Sequence, residues 1–234
     1  MSSLCEIGPG RYAHASGALW IKAAQAILVA DAHLGYGWAQ RRRGELGPVA
    51  DTKSHPRLKA VGDELAPKQW IFLGDLVHAP RPGQEERAAI EHTLLDLAAS
   101  AEVVLVRGNH DRAFIKDFGH LGFTVVDCWN HHGLVALHGD KLANRAIPEG
   151  HLVVGHLHPV VKFKDGAGAS QKVRVFLSSP GMTVMPAFSP YSGGFDVARG
   201  LPSDIAELWG DAAVEGIAVT GKSAMKIGPL RVRR

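Results

Sequence analysis

Five short apolar runs in this sequence each stop abruptly at side chains that bind metals. Ala26–Ala30 ends at Asp31-Ala32-His33, and Trp70–Leu73 ends at Gly74-Asp75 with His78 just beyond. Val103–Val106 passes through Arg107 into Gly108-Asn109-His110-Asp111, Leu134–Leu137 ends at His138-Gly139-Asp140, and Leu152–Val154 ends at Gly155-His156-Leu157-His158. Runs this short, bounded by turn formers, read as strands buried on both faces. In an open α/β sheet the carboxyl ends of such strands meet at one crevice, however far apart they lie in sequence. One Asp or His at a strand end is an ordinary turn former or cap. Five in succession are more than stability requires.

Between the runs lie helical stretches. Gln84–Ala101 carries Ile90, Leu94, Leu97 and Ala98 on one stripe, with Glu85 and Glu86 in the first turn where the helix dipole favours them. Leu58–Leu65, after Pro56, and Arg112–Phe118, stopped by Gly119, are shorter candidates. Alternating strands and helices predict an α/β fold. From about residue 172 to 220 the texture turns to strand and turn: 172–177, 183–185, 194–197 and 216–220. These predict a second sheet packed on the first within a single domain, 1–234. At 234 residues and 46% hydrophobic the chain can bury its own core.

Composition excludes little else. The run Ala23–Ala30 contains Gln25 and is too short to span a bilayer, so no membrane association is expected. Cys5 and Cys128 form no CxxC pair and fit a reducing cytoplasm. A net charge of +3, from 26 basic and 23 acidic residues, does not identify a nucleic-acid partner. The unusual count is 13 histidines. His14, His55, His92, His120, His131, His132 and His151 lie outside the strand ends and are expected to be structural or solvated. The terminal arginines Arg231, Arg233 and Arg234 read as a solvated tail.

Asp31, His33, Asp75, Asn109, His138, His156 and His158 form the convergent set. Carboxylate, imidazole and amide oxygen without thiolate suit Mn²⁺, Fe, Zn²⁺ or Ni²⁺, with Mn²⁺ favoured, and argue against a structural zinc site. Seven ligands exceed what one ion with an open position needs, and suit two ions about 3.5–4 Å apart sharing a carboxylate. Two divalent ions against two carboxylates leave a surplus of positive charge, which attracts a phosphate ester.

The ordered series Asp31-x-His33, Gly74-Asp75-x-x-His78, Gly108-Asn109-His110-Asp111, His138 and Gly155-His156-x-His158 resembles the calcineurin-like metallophosphoesterase superfamily. The resemblance implies a two-sheet α/β/β/α sandwich. It assigns Asp31, His33, Asp75 and His158 to one metal, and Asp75, Asn109, His138 and His156 to the other. His110 would be the catalytic histidine at the leaving oxygen, Asp111 would orient it, and His78 would lie near the scissile phosphate. A narrower likeness, carried by Asp31-Ala-His-Leu-Gly35, Arg41-Arg-Arg-Gly44, Met185-Pro-Ala-Phe188 and Tyr191-Ser-Gly-Gly194, is to bacterial ligase-associated DNA damage response endonucleases. This implies a phosphodiester substrate, DNA in particular, and DNA-repair ligase or helicase partners. The chain departs from that branch at Ala32 and at Gly139-Asp140. Arg41, Arg42, Arg43 and Arg107 are candidate backbone contacts, or simply a solvated charge run. Asp140 is a candidate to orient His138. With no length left for a capping domain, the groove admits a polymer but admits small phosphomonoesters or cyclic nucleotides equally, and a metal-binding scaffold without turnover is the third reading.

Overall fold

The computed structural model describes residues 2–46, 51–78, 82–143, 146–164, 166 and 168–230; the terminal arginines from 231 onward lie outside them. One sheet runs in chain order through β1 (Leu4–Gly8), β2 (Arg11–His14), β3 (Leu19–Ile21), β4 (Ala26–Ala30), β5 (Gln69–Leu73), β6 (Glu102–Val106) and β7 (Thr124–Val126). Pairing is antiparallel from β1 to β4 and parallel from β4 to β7. The second sheet holds β8 (Trp129–His131), β9 (Leu134–Leu137), β10 (His151–Val154), β11 (Pro159–Lys164), β12 (Ser170–Ser178), β13 (Met182–Val184) and β14 (Phe195–Asp196), in the order β14-β11-β12-β13-β10-β9-β8. A hairpin of β15 (Glu215–Val219) and β16 (Ala224–Pro229) joins this sheet through β12.

Strict alternation along the strands divides the apolar side chains into three layers. Ala26, Leu28 and Ala30 of β4, with Ile71, Leu73, Val104 and Val106, face Ala136, Val153, Phe176 and Ile217 of the other sheet. Ile27, Val29, Trp70, Phe72, Val103 and Leu105 point the opposite way, onto α2 (Asp51–Leu65), α3 (Gln84–Ala98) and α4 (Arg112–Phe118). On the far face of the second sheet, Val135, Leu137, Val154 and Leu177 cover Ile205 and Trp209 of α5 (Ser203–Trp209). The result is the expected α/β/β/α sandwich, both sheets hidden on two faces.

Several elements differ from their sequence reading. The helix expected from Leu58 already starts at Asp51, with Pro56 inside its second turn at the loss of one backbone hydrogen bond. The helix starting at Gln84 ends at Ala98, three residues early. The strand expected over 194–197 shrinks to β14 because Val197 opens a 3₁₀ turn, with the Asp196 carboxylate accepting from Ala198 N–H at 3.2 Å. Among the described residues no helix is long and apolar enough to cross a membrane.

Candidate metal centre and catalytic site

Parallel register decides which loops meet. The pairs Ala30–Leu73 and Leu73–Val106 align the ends of β4, β5 and β6, so Asp31, Asp75 and Asn109 emerge at one edge. In the other sheet Leu137 pairs with Val154, placing His138 beside Gly155-His156. The backbone then turns sharply. Asp31, His33, Asp75, His156 and His158 all have left-handed φ, between 45° and 63°. Asp and His tolerate this region better than most residues but still pay about 1–2 kcal/mol each. Cross-loop bonds hold them there: His33 N–H donates to Asp75 O (3.0 Å), Leu34 N–H to Leu76 O (2.8 Å) and Ser189 N–H to Asp31 O (3.2 Å). Gly74 shares the left-handed conformation, and a side chain there would collide with the His138 ring.

All seven expected ligands gather in one crevice between the sheets. Asp31, Asp75, His138 and His156 offer ligand atoms within 4.8 Å of one another, as do Asp31, His33 and His158. Asp31 is the carboxylate common to both groups, the place the family resemblance gives to Asp75. Asp75 lies in the first group, 3.6 Å from His138 Nε2, and its charge also acts on His33 and His158. Asn109 Oδ1 lies 3.0 Å from the same nitrogen.

The donor atoms are arranged for a cation. His138 Nδ1 donates to Leu73 O at 2.9 Å, so in the neutral ring Nε2 presents a lone pair. It presents it toward Asn109 Oδ1 and Asp75 Oδ1, which are themselves acceptors. Asp31 Oδ1, His33 Nδ1 and His158 Nε2 are buried without a hydrogen-bond partner. His158 Nε2 lies 3.0 Å from Asp31 Oδ1, near enough for an ion pair but off-line for a hydrogen bond. Converging lone pairs and orphaned buried atoms are what a divalent ion satisfies, and the residues present fit one.

Protonation states agree. Burial pushes the Asp31 carboxyl up, but His158, with His138 and His33 behind it, outweighs burial and keeps it below its ordinary value. Burial lowers His33 to about 4 despite Asp31 and Asp75, so its ring is a neutral ligand at neutral pH. His158 is the exception: burial disfavours its charge, yet Asp31 and Asp75 outweigh burial and hold its pKa above the ordinary histidine value.

The catalytic candidates fall into different positions. His110 is exposed at the rim, with its backbone N–H donating to Asp75 Oδ1 at 3.2 Å. Asp111, expected to orient the His110 ring, does something else. Its fully buried carboxylate accepts from the N–H groups of Gly108 (2.7 Å), Asp75 (2.9 Å) and Leu76 (3.1 Å). It therefore clamps the β5 and β6 loops together. Likewise Leu73 O, rather than Asp140, fixes the His138 ring, while the charge of Asp140 acts on His156. His78 meets His33 edge to face, ring centroids 5.3 Å apart. Arg107 pairs with Asp127 at 3.3 Å and lines a cleft of about 840 Å³ beside Asn109. Arg41 stacks on Trp38, and Arg41 and Arg42 close the last turn of α1 (Tyr36–Arg42), with Arg43 capping it and lowering the His78 pKa, after the larger effect of burial.

Sequence reasoning passed over Tyr36, Tyr191, Arg57 and Arg174, which also border the crevice or brace its walls. Tyr36 directly follows the Asp31–Gly35 stretch, and Tyr191 opens one of the quoted motifs; the two arginines carry no local signal.

Comparison with known proteins identifies the family. The sequence profile of the calcineurin-like phosphoesterase domain matches residues 26–184. No curated protein matches the chain significantly. Among solved structures, the nuclease MPE of Pseudomonas putida is 23% identical, with a TM-score of 0.68 over 93% of this chain and 94% of that one. YfcE, a phosphoesterase from E. coli, is 17% identical, with a TM-score of 0.44 over 89% and 99%. The profile covers both halves of the crevice, from Asp31 in the first sheet to His158 in the second, and on that ground the chain belongs to the calcineurin-like phosphoesterase family of metal-dependent hydrolases.

Proposed function

We propose that the chain hydrolyses phosphodiesters with two divalent ions, Mn²⁺ first among them, and that its substrate is nucleic acid. The observation that carries this is Asp31: one fully buried carboxylate serves two separate groups of ligand atoms. Asp31, His33 and His158 would hold one ion, and Asp75, Asn109, His138 and His156 the other, with Asp31 common to both. Ions bound there supply positive charge for the phosphate oxygens and a water acidic enough to attack at neutral pH. His110, at the open rim, gives its proton to the leaving oxygen. His78 stands beside the phosphate and orients it. Likeness of the segments 31–35, 41–44, 185–188 and 191–194 to DNA damage response endonucleases supports DNA as the polymer and repair as its setting.

The test is metal-free protein reloaded with Mn²⁺, Fe²⁺, Zn²⁺, Ni²⁺ or Mg²⁺ and offered aryl phosphate mono- and diesters alongside single- and double-stranded DNA. Diesters and DNA should be turned over faster than the monoester with at least one metal. Faster monoester hydrolysis with every metal overturns the diesterase reading.

A further inference from the structure

His78 is not the last ring in its row. Tyr36, the first residue of α1, packs on His78 with centroids 4.4 Å apart and stacks on Tyr191 at 5.7 Å and 8° from parallel. In the other direction His78 meets His33 at 5.3 Å, and His33 meets His158 at 5.6 Å. An unbroken file of rings therefore leads from the ligand pocket out to a pair of half-buried, parallel tyrosines. Cations border this file. The Lys53 ammonium lies over the Tyr191 ring at 5.8 Å, and the Arg43 charge reaches His78.

The second tyrosine is held in place at some expense. Arg57 donates to Phe188 O (2.9 Å) and Ser16 O (2.7 Å), and Arg174 donates to Phe188 O (3.1 Å) and Ala187 O (3.2 Å). Two largely buried cations converge on one carbonyl, an arrangement that favours neither of them. What it fixes is the segment leading to Tyr191. Phe188 N–H and Ser189 N–H then donate to Ala30 O (2.8 Å) and Asp31 O (3.2 Å), which ties the same segment to the ligand loop. Ligand and tyrosine pair are thereby set at a fixed separation.

Parallel aromatic faces flanked by cations suit a nucleobase on a phosphate backbone, because every base has a face to stack and every phosphate a charge. A base inside a duplex is already stacked and paired, whereas an unpaired base can be turned out onto such a surface. We propose that Tyr36 and Tyr191 form a base-stacking subsite that seats the nucleobase neighbouring the scissile phosphodiester of a single strand. This rests on the phosphodiesterase reading and extends it from the bond broken to the strand recognised.

The experiment compares a strand of ten thymidines with an abasic strand of the same length and phosphate count, by kcat/KM in the Mn²⁺-loaded enzyme and by fluorescence anisotropy. Wild type should favour the thymidine strand about 10-fold, the scale of one base stacked on an aromatic ring. Tyr191→Leu should bring that ratio close to one, and Tyr191→Trp should preserve it. A wild type indifferent to the bases overturns the subsite while leaving the diesterase reading intact if both strands are cut. A Tyr191→Leu protein that loses the same factor on both strands also overturns it, reducing the tyrosine to a support for Tyr36 and, through it, His78. Hydrolysis of p-nitrophenyl phosphate with neither strand cut removes the diesterase reading, and the subsite falls with it.

Discussion

Asp111 and His110 are neighbours in sequence with opposite assignments. Asp111 is fully buried and has both oxygens engaged by backbone N–H groups, whereas His110 is exposed and its main-chain N–H donates to Asp75. Their substitutions should therefore separate proton transfer from scaffolding. His110→Gln is expected to fold, to keep its metal content by mass spectrometry, and to lose turnover by about 10²–10⁴-fold, the usual contribution of a positioned acid. A substrate with a good leaving group, such as a nitrophenyl ester, should suffer less than a nucleotide. Asp111→Ala strands buried donors at about 1–3 kcal/mol each. It should lower the melting temperature and the metal content together, and the lost activity should not depend on the leaving group. Metal lost from His110→Gln in step with activity would make His110 a ligand instead.

At the level of elements, legibility followed burial. β4, β5, β6, β9 and β10 are covered on both faces, so each reads as an unbroken apolar run with a visible stop. β1 to β3 form the antiparallel extension of the first sheet, and residues such as Glu6, Arg11 and Tyr12 interrupt any apolar run there. α1 and α5 have only seven residues each, too few for a periodic stripe to show, and α4, equally short, was legible from its Gly119 stop rather than from a stripe. The seven ligands were legible because a strand end announces its position; Tyr191 and Arg174 were not, because their contacts with Tyr36 and Phe188 depend on how loops cross. The same logic makes Gly74 a junction between elements. Gly74→Ala forces a side chain into left-handed backbone, about 1–2 kcal/mol, and pushes the His138 ring off its bond to Leu73 O. The expected outcome is loss of metal from the group that contains His138, out of proportion to a modest fall in melting temperature. A Gly74→Ala protein with full metal occupancy would show that the loop gives way more easily than the ring.

The whole molecule should carry this site in its pH response. In metal-free protein His33, His78, His151 and His156 have pKa values below the ordinary histidine value, with His33 at about 4, whereas that of His158 is raised. Below pH 6.5 the unfolded chain then binds more protons than the folded one, so stability falls as pH drops toward 4. His158 works the other way: its contribution is fully present below pH 6.5 and is lost as pH rises through its folded pKa. Four lowered rings against one raised predict net acid destabilisation, seen as a melting temperature of chelator-treated protein that declines from pH 7 to pH 5. A flat profile would mean that the burial of these rings is relieved by water.

Each ligand group takes side chains from both sheets: Asp31 and His33 against His158, Asp31 and Asp75 against His138 and His156. A bound ion is thus a rivet through two plates. Whatever free energy it gains on seating is gained only while the plates are aligned, so affinity for the ion and cohesion of the layer between the sheets are one thermodynamic quantity seen from two sides. A substitution at Phe176 or Ile217, which pack between the sheets and are not ligands, weakens the grip on the ion to the degree that it lets the plates slide.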